Sequence, residues 1–280
     1  MPPPARPAAA SDVLRPVLQG GPPARGRVVG VFGSAVYLEL AAAAAAPEIL
    51  ALETYDALRL PCAVVLADRS AARPFRAVRP GQRAAADGRG LTVGPLRVEV
   101  VRWWAPRRPR RGAADGHAMR RLRALLPAPD PALARAGAPL AEWLARPGRG
   151  GCRDAVVGLV GLGDGLTPAG DDVLAGALVA LAARPGAQQL GADLGAEVRA
   201  HAPGRTTALS AALLRHAAGG LGVAALLDVV DRLTHPGGTG LDRAVVRLLA
   251  VGHSSGAALA HGVSLAGLAP ATLAARKVCA

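Results

Sequence analysis

The sequence predicts an α+β protein: a small N-terminal β-rich domain, sheet or barrel, followed by a mostly α-helical C-terminal domain with glycine-rich loops at helix N-termini. Three observations predict this. Short apolar runs separated by turn residues fill residues 26–105. Beyond an arginine-rich stretch at 106–116, helical periodicity takes over. Hydrophobic residues make up 51% of the 280-residue chain, yet aromatics are only 2% and none lies beyond Trp143. The second half must therefore pack with Ala, Leu, Val and Gly, which suits closely spaced helices.

Taken in order, residues 1–25 are rich in Pro, Ala and Arg and are expected to form a disordered lead. Residues 28–32 and 35–40 read as strands around Gly33-Ser34, and the alanine run at 41–46 reads as a turn or short helix. Residues 61–66 form another short apolar strand, closed by Asp68. Pro80-Gly81 and Asp87-Gly88 are turn signals. Strands at 91–93 and 96–100 follow, separated by Gly94-Pro95, and the second alternates apolar and polar residues as a half-buried strand should. In the stretch 106–116, Arg107, Arg108, Arg110 and Arg111 read as a solvated interdomain linker rather than a patch for an anionic partner. The remainder, 117–280, forms the helical domain. Its periodicity predicts helices at 117–126, 131–145, 171–183, 206–218, 223–233, 242–250 and 256–266, with 155–162 as a strand or buried helix.

Composition also excludes some functions. The net charge of +13 raises nucleic acid as a partner. Lys277 is the only lysine, however, and the arginine bias follows the Ala-, Gly- and Pro-rich composition of a GC-rich coding background. Aromatic platforms for stacking bases are missing, so no nucleic-acid partner is expected. Cys62, Cys152 and Cys279 are scattered without a CxxC pair and read as reduced thiols, and no secretory signal is apparent, so a cytoplasmic location is expected. Residues 248–275 lack formal charges but contain His253, Ser254, Ser255, His261 and four glycines, so no membrane partner is expected either.

Chemistry concentrates in three loops. The first, 161–172, reads Gly-Leu-Gly-Asp-Gly-Leu-Thr-Pro-Ala-Gly-Asp-Asp. Gly161, Gly163, Gly165 and Gly170 allow close backbone approach. Thr167 is expected to cap the next helix, with Pro168 at its first position. Free N–H groups and the helix dipole would then favour a phosphate or carboxylate. It is neither a Walker A loop nor a Rossmann fingerprint. Asp171 and Asp172 exceed what capping needs. One of them can serve as general base, metal ligand or acceptor for a substrate amide. The second loop, 251–256, holds His253, Ser254, Ser255 and Gly256. It can be laid over the first, since Gly256 follows Gly170, and Gly262 follows Gly176, by 86 residues (256 − 170, 262 − 176). The overlay suggests an internal duplication in which Ala257 and Ala258 replace the two aspartates. His253 is a candidate acid/base or anion donor. The third loop holds Arg205, a fork for carboxylate or phosphate, then Thr206, Thr207 and Ser210. No histidine cluster has metal-ligand spacing, and neither metal nor cofactor is expected.

These three segments, in this order, resemble the AllH-like family, whose best-known members are subunits of bacterial oxamate carbamoyltransferase. The resemblance extends over about 27–275 and is strongest over 158–262. It implies phosphorolysis of oxalurate to oxamate and carbamoyl phosphate in purine catabolism, together with two further subunits. In that setting Asp171, Asp172 and His253 would be catalytic. Gly163, Gly165, Thr167, Gly170, Arg205, Thr206, Thr207, Ser210, Ser254, Ser255 and Gly256 would bind the small anionic substrate. The competing expectations are a non-catalytic module for a small anion or nucleotide, and a structural subunit whose glycine loops only pack helices.

Overall fold

The computed structural model describes residues 4–19, 23–41, 48–147, 151–235 and 240–270. Its fold class is α+β. The chain divides into two compact units, Met1–Pro106 and Arg107–Ala280.

The first unit is a closed barrel of eight strands: β1 (Arg6–Ser11), β2 (Ala24–Val31), β3 (Ala35–Ala41), β4 (Glu48–Glu53), β5 (Ala63–Leu66), β6 (Arg83–Ala86), β7 (Gly90–Val93) and β8 (Leu96–Trp104). Around the barrel they run β1-β5-β4-β3-β2-β6-β7-β8. Period-two alternation builds the core: along β3, Val36, Leu38 and Leu40 are fully buried while Tyr37 and Glu39 are half-buried. The expected hairpins form at Gly33-Ser34, between β2 and β3, and at Gly94-Pro95, between β7 and β8.

The N-terminus differs from expectation. The lead expected to be disordered supplies β1 and a short helix, α1 (Arg15–Gln19). β1 pairs antiparallel with β5 and parallel with β8, so it closes the barrel. Without it both neighbours would be open edges, which attract unwanted pairing. Ala8 and Ala10 turn buried side chains inward at alternate positions, which a compositional reading of Pro and Ala overlooks. The alanine run falls, beyond Ala41, outside the described residues.

The second unit holds nine helices among the described residues: α2 (Gly116–Leu125), α3 (Pro131–Ala145), α4 (Cys152–Leu159), α5 (Ala169–Ala183), α6 (Gln188–His201), α7 (Ala208–Ala218), α8 (Ala224–Thr234), α9 (Leu241–Leu249) and α10 (Ser255–Ala266). Local capping fixes several starts. Asp115 accepts from the Ala118 amide at 2.7 Å, and Asp130 accepts from the Ala132 amide at 2.8 Å ahead of Pro131. The ambiguous stretch at 155–162 is helix as far as Leu159, the end of α4, and turns beyond it. The arginine stretch is not a free linker at its start. Arg107 pairs with Asp228 at 2.6 Å and with Asp231 at 2.9 Å, both on α8, and Arg108 donates to the Gly219 carbonyl.

Helix α5 is apolar on nearly every side and almost wholly buried, as expected of a helix at the centre of a bundle. α10 lies against it. A side chain on Gly176 would collide with the Leu259 carbonyl, and one on Gly262 with the Val173 carbonyl. The contact is reciprocal: the 86-residue offset that carries Gly176 to Gly262 also carries Val173 to Leu259 (262 − 176, 259 − 173). It likewise carries the first residue of α5 to that of α10 (255 − 169). An internal two-fold relation between the two loop–helix segments requires this arrangement. No described helix is long and apolar enough to cross a membrane.

Candidate functional site

The glycine-rich loop leaves α4 and enters α5. Gly161 turns it with φ +75, and any side chain there would strike the Arg205 carbonyl, so the position demands glycine on two counts. The turn aims the Gly161 amide at Asp171 Oδ1, 2.9 Å away. Asp171 Oδ2 accepts from Ser210 Oγ at 2.7 Å and from the Thr206 hydroxyl. Thr207 caps α7, its hydroxyl oxygen accepting from the Ser210 amide at 3.0 Å, and donates its proton to the Leu166 carbonyl at 2.5 Å. Asp171, 1% exposed, therefore ties the first loop to the third.

Asp172, one residue on, turns away from that cluster, since successive helical residues point about 100° apart. It meets the second loop. Ser255 hydrogen-bonds to its carboxylate, and the Thr167 and Ser255 hydroxyl oxygens lie 3.1 Å apart. The first turns of α5 and α10 are thus side by side. Asp172 is 8% exposed, and its Oδ2 is buried with no partner among the described residues. Burial pushes its carboxyl up to about 7, against the pull of the Ser255 hydrogen bond and with a smaller push from the Asp171 carboxyl. Such a group exchanges a proton near neutrality, as acid–base chemistry requires.

Two expected roles shift. Thr167 does not cap α5; Pro168 holds the cap position, and the threonine hydroxyl goes to Ser255 instead. The Gly170 amide is not free for an anion, because it donates to the Leu162 carbonyl at 2.9 Å. The open donors lie upstream. The amides from Gly163 to Thr167 have no backbone acceptor among the described residues, and Gly163 and Gly165 take φ of +109 and +91. Successive amides in such turns form an anion-binding concavity.

The three loops therefore meet, although not every expected residue enters the cluster. Asp171, Thr206, Ser210 and Thr207 form one side, and Thr167, Ser255 and Asp172 the other. Gly256 packs against the Leu248 carbonyl and supports the second loop. His253 and Ser254 stand exposed one step ahead of Ser255. Arg205 is also exposed and lends one guanidinium nitrogen to the Val157 carbonyl at 3.2 Å. Sequence reasoning missed the amide of Gly161 and the carbonyls of Leu162 and Leu166. Being backbone groups, they leave no signature in residue type. Among the described residues no group of three His, Cys, Asp or Glu side chains is placed to hold a metal ion. Cys62 and Cys152 are free thiols that burial pushes up to about 12, unlike activated cysteine nucleophiles.

Comparison with curated proteins and with solved structures gave no match. A family model described as oxamate carbamoyltransferase subunit AllH matches residues 159–267. That span begins at the end of α4, takes in all three loops, and stops just past α10; the barrel unit lies outside it. The match, over the stretch that carries the Asp171–Asp172 pair and both of its partner loops, supports an AllH-like family for this chain.

Proposed function

We propose that this chain is a subunit of an oxamate carbamoyltransferase and contributes the Asp172 carboxyl and the surrounding loops to its reaction. The observation that carries the reading is a buried, half-partnered carboxyl shifted to about 7 where three loops join. In the phosphorolysis of oxalurate, a phosphate oxygen attacks the ureido carbonyl carbon. The bond from that carbon to the oxamate nitrogen breaks, and carbamoyl phosphate leaves. The departing nitrogen must gain a proton, which the neutral Asp172 carboxyl supplies, and the carboxylate left behind recovers a proton from the hydrogen phosphate that has attacked. The open amides of 163–167 hold the anionic end of a substrate, with Arg205, His253 and Ser254 at the rim. Fixed donors of this kind are often the largest contribution to catalysis. Asp171, whose oxygens already accept three hydrogen bonds, is a positioning residue.

The test is carbamoyl phosphate formation from oxalurate and phosphate by the assembled enzyme, this chain together with its two partner subunits. Asp172→Asn is expected to lower kcat by roughly 10²–10⁴-fold, the usual range for a lost acid–base group. Full activity in that variant would overturn the catalytic reading in favour of a binding or structural subunit. Carbamoyl phosphate or oxamate is also expected to raise the melting temperature, because a ligand of the native state must stabilise it.

A further inference from the structure

Strand register brings several arginines to one mouth of the barrel. β1 runs parallel to β8, with Arg6 opposite Val98, and antiparallel to β5, with Ala8 opposite Leu66. The start of β1, the start of β8 and the chain leaving β5 therefore share an end. A cavity of about 680 Å³ opens there, lined by Arg6, Arg73, Arg76 and Arg97 and walled by apolar residues including Val78 and Leu96. Its only acidic lining residue among those described, Asp68, is paired with Arg6 at 2.5 Å. Arg73, Arg76 and Arg97 are exposed residues, and none of them forms an ion pair with a carboxylate among the described residues. Like charges around one concavity repel each other and focus a positive field into it, and a bound anion relieves that repulsion.

The backbone adds an independent observation. Arg73 is the one non-glycine residue with positive φ among the described residues, at φ +47 and ψ +52. Its amide donates to the Ser70 carbonyl at 2.9 Å and closes a tight turn before the buried Pro74. Glycine would make this turn without strain. A bulky cation held there instead marks a position where the side chain is needed.

We propose that the barrel mouth binds a small phosphorylated ligand bearing at least two phosphoryl groups, of about nucleotide size. Guanidinium forks match phosphoryl oxygens, the apolar wall accommodates an uncharged moiety, and the volume falls within the usual range of ligand pockets. The site lies outside the matched span and does not depend on the carbamoyltransferase reading.

Calorimetric titration of the full chain with pyrophosphate and with ADP tests the proposal, with inorganic phosphate separating a requirement for two phosphoryl groups from binding of any phosphate. Pyrophosphate and ADP are expected to bind, and inorganic phosphate to bind much more weakly. Arg73→Gly is expected to weaken binding by roughly tenfold or more without lowering the melting temperature of the free protein, because glycine accepts the left-handed turn. Arg97→Gln is expected to weaken it similarly and keeps the test sound should Arg73→Gly disturb the loop. No binding of either ligand at millimolar concentration would overturn the proposal, as would equal affinities in both arginine variants. Binding abolished by Asp172→Asn but not by the arginine substitutions would place the ligand in the helical unit. A short single-stranded oligonucleotide that binds more tightly than ADP through the same arginines would replace the small-ligand reading with nucleic acid.

Discussion

Adjacent carboxylates rarely share an environment on a helix, and Asp171 and Asp172 divide the work of the first loop. Asp171 accepts from one amide and two hydroxyls, so its removal leaves three donors without an acceptor. Asp171→Asn turns an N–H₂ group toward those donors. The loss is expected to be about 2–3 kcal/mol of unfolding free energy, measurable by denaturant titration, because unsatisfied buried polar groups carry the full desolvation penalty. A loss under about 0.5 kcal/mol, the level of an ordinary surface change, would contradict that role. Asp172 behaves in the opposite way. Its pKa is raised from 3.8 to about 7, so its stability contribution is complete below 3.8, is lost progressively as pH rises from there to 7, and changes no further above 7. Asp172→Asn removes the buried charge. The variant should melt higher than the wild type at pH 8 and nearly level with it only at about pH 3.5, below the ordinary carboxylate value, while losing activity. A variant less stable at pH 8 would show that the ionised carboxylate is a net benefit to the fold.

At the scale of elements, the α5–α10 pair sets the geometry of the site. Gly176 and Gly262 let each helix backbone reach the other, and this brings Thr167 within 3.1 Å of Ser255. Replacing either glycine by alanine forces the helices apart. Gly176→Ala is expected to destabilise by about 1–3 kcal/mol, the usual cost of overpacking a close contact, and to lower activity through the displaced loops. Gly262→Ala should match it if the two-fold relation holds, and strongly unequal effects would count against it. Much of this was legible in the sequence. The offset linking Gly170 and Gly176 to Gly256 and Gly262 is visible in the sequence, and so is the hydroxyl set of the third loop, Thr206, Thr207 and Ser210. Helix α6 was not expected, although Leu190, Leu194 and Val198 fall at helical spacing and are buried, because Gly191 and Gly195 sit between them and weaken the helical signal. The exit of α5 was also hidden. Arg184, only 8% exposed, donates to the carbonyls of Ala266 and Ala269 and fastens α5 to the end of α10, a long-range bond that no local pattern announces.

At the scale of the molecule, each unit carries, among the described residues, one buried acid shifted toward neutrality. The helical unit has Asp172. The barrel has Glu53, 1% exposed at the end of β4, with one oxygen accepting from the Leu60 amide at 3.2 Å and the other buried without a partner among the described residues. Burial pushes Glu53 up to about 8, against the pull of the Leu60 amide and of Arg59. Neither the barrel's closure nor this acid could be read from composition. β1 depends on alternate alanines within a proline-rich lead, and Glu53 becomes unusual only once β3, β4 and β5 enclose it. Both groups have folded pKa values above their unfolded ones, so both contribute stability that is fully present below the unfolded value and is lost progressively as pH rises, between 3.8 and 7 for Asp172 and between 4.5 and 8 for Glu53. At about 1.4 kcal/mol per pKa unit, each loss is on the order of a few kcal/mol. If the two units unfold independently, hydrogen exchange corrected for intrinsic rates will separate them. Amides of β3 and β5 are expected to lose protection progressively as pH rises from 4.5 to 8, levelling off above 8, in the wild type and in Asp172→Asn, but not in Glu53→Gln. Amides of α5 and α10 are expected to lose it from 3.8 to 7, levelling off already above 7, in the wild type and in Glu53→Gln, but not in Asp172→Asn. Either substitution flattening both profiles would show instead that barrel and helices open as one cooperative body.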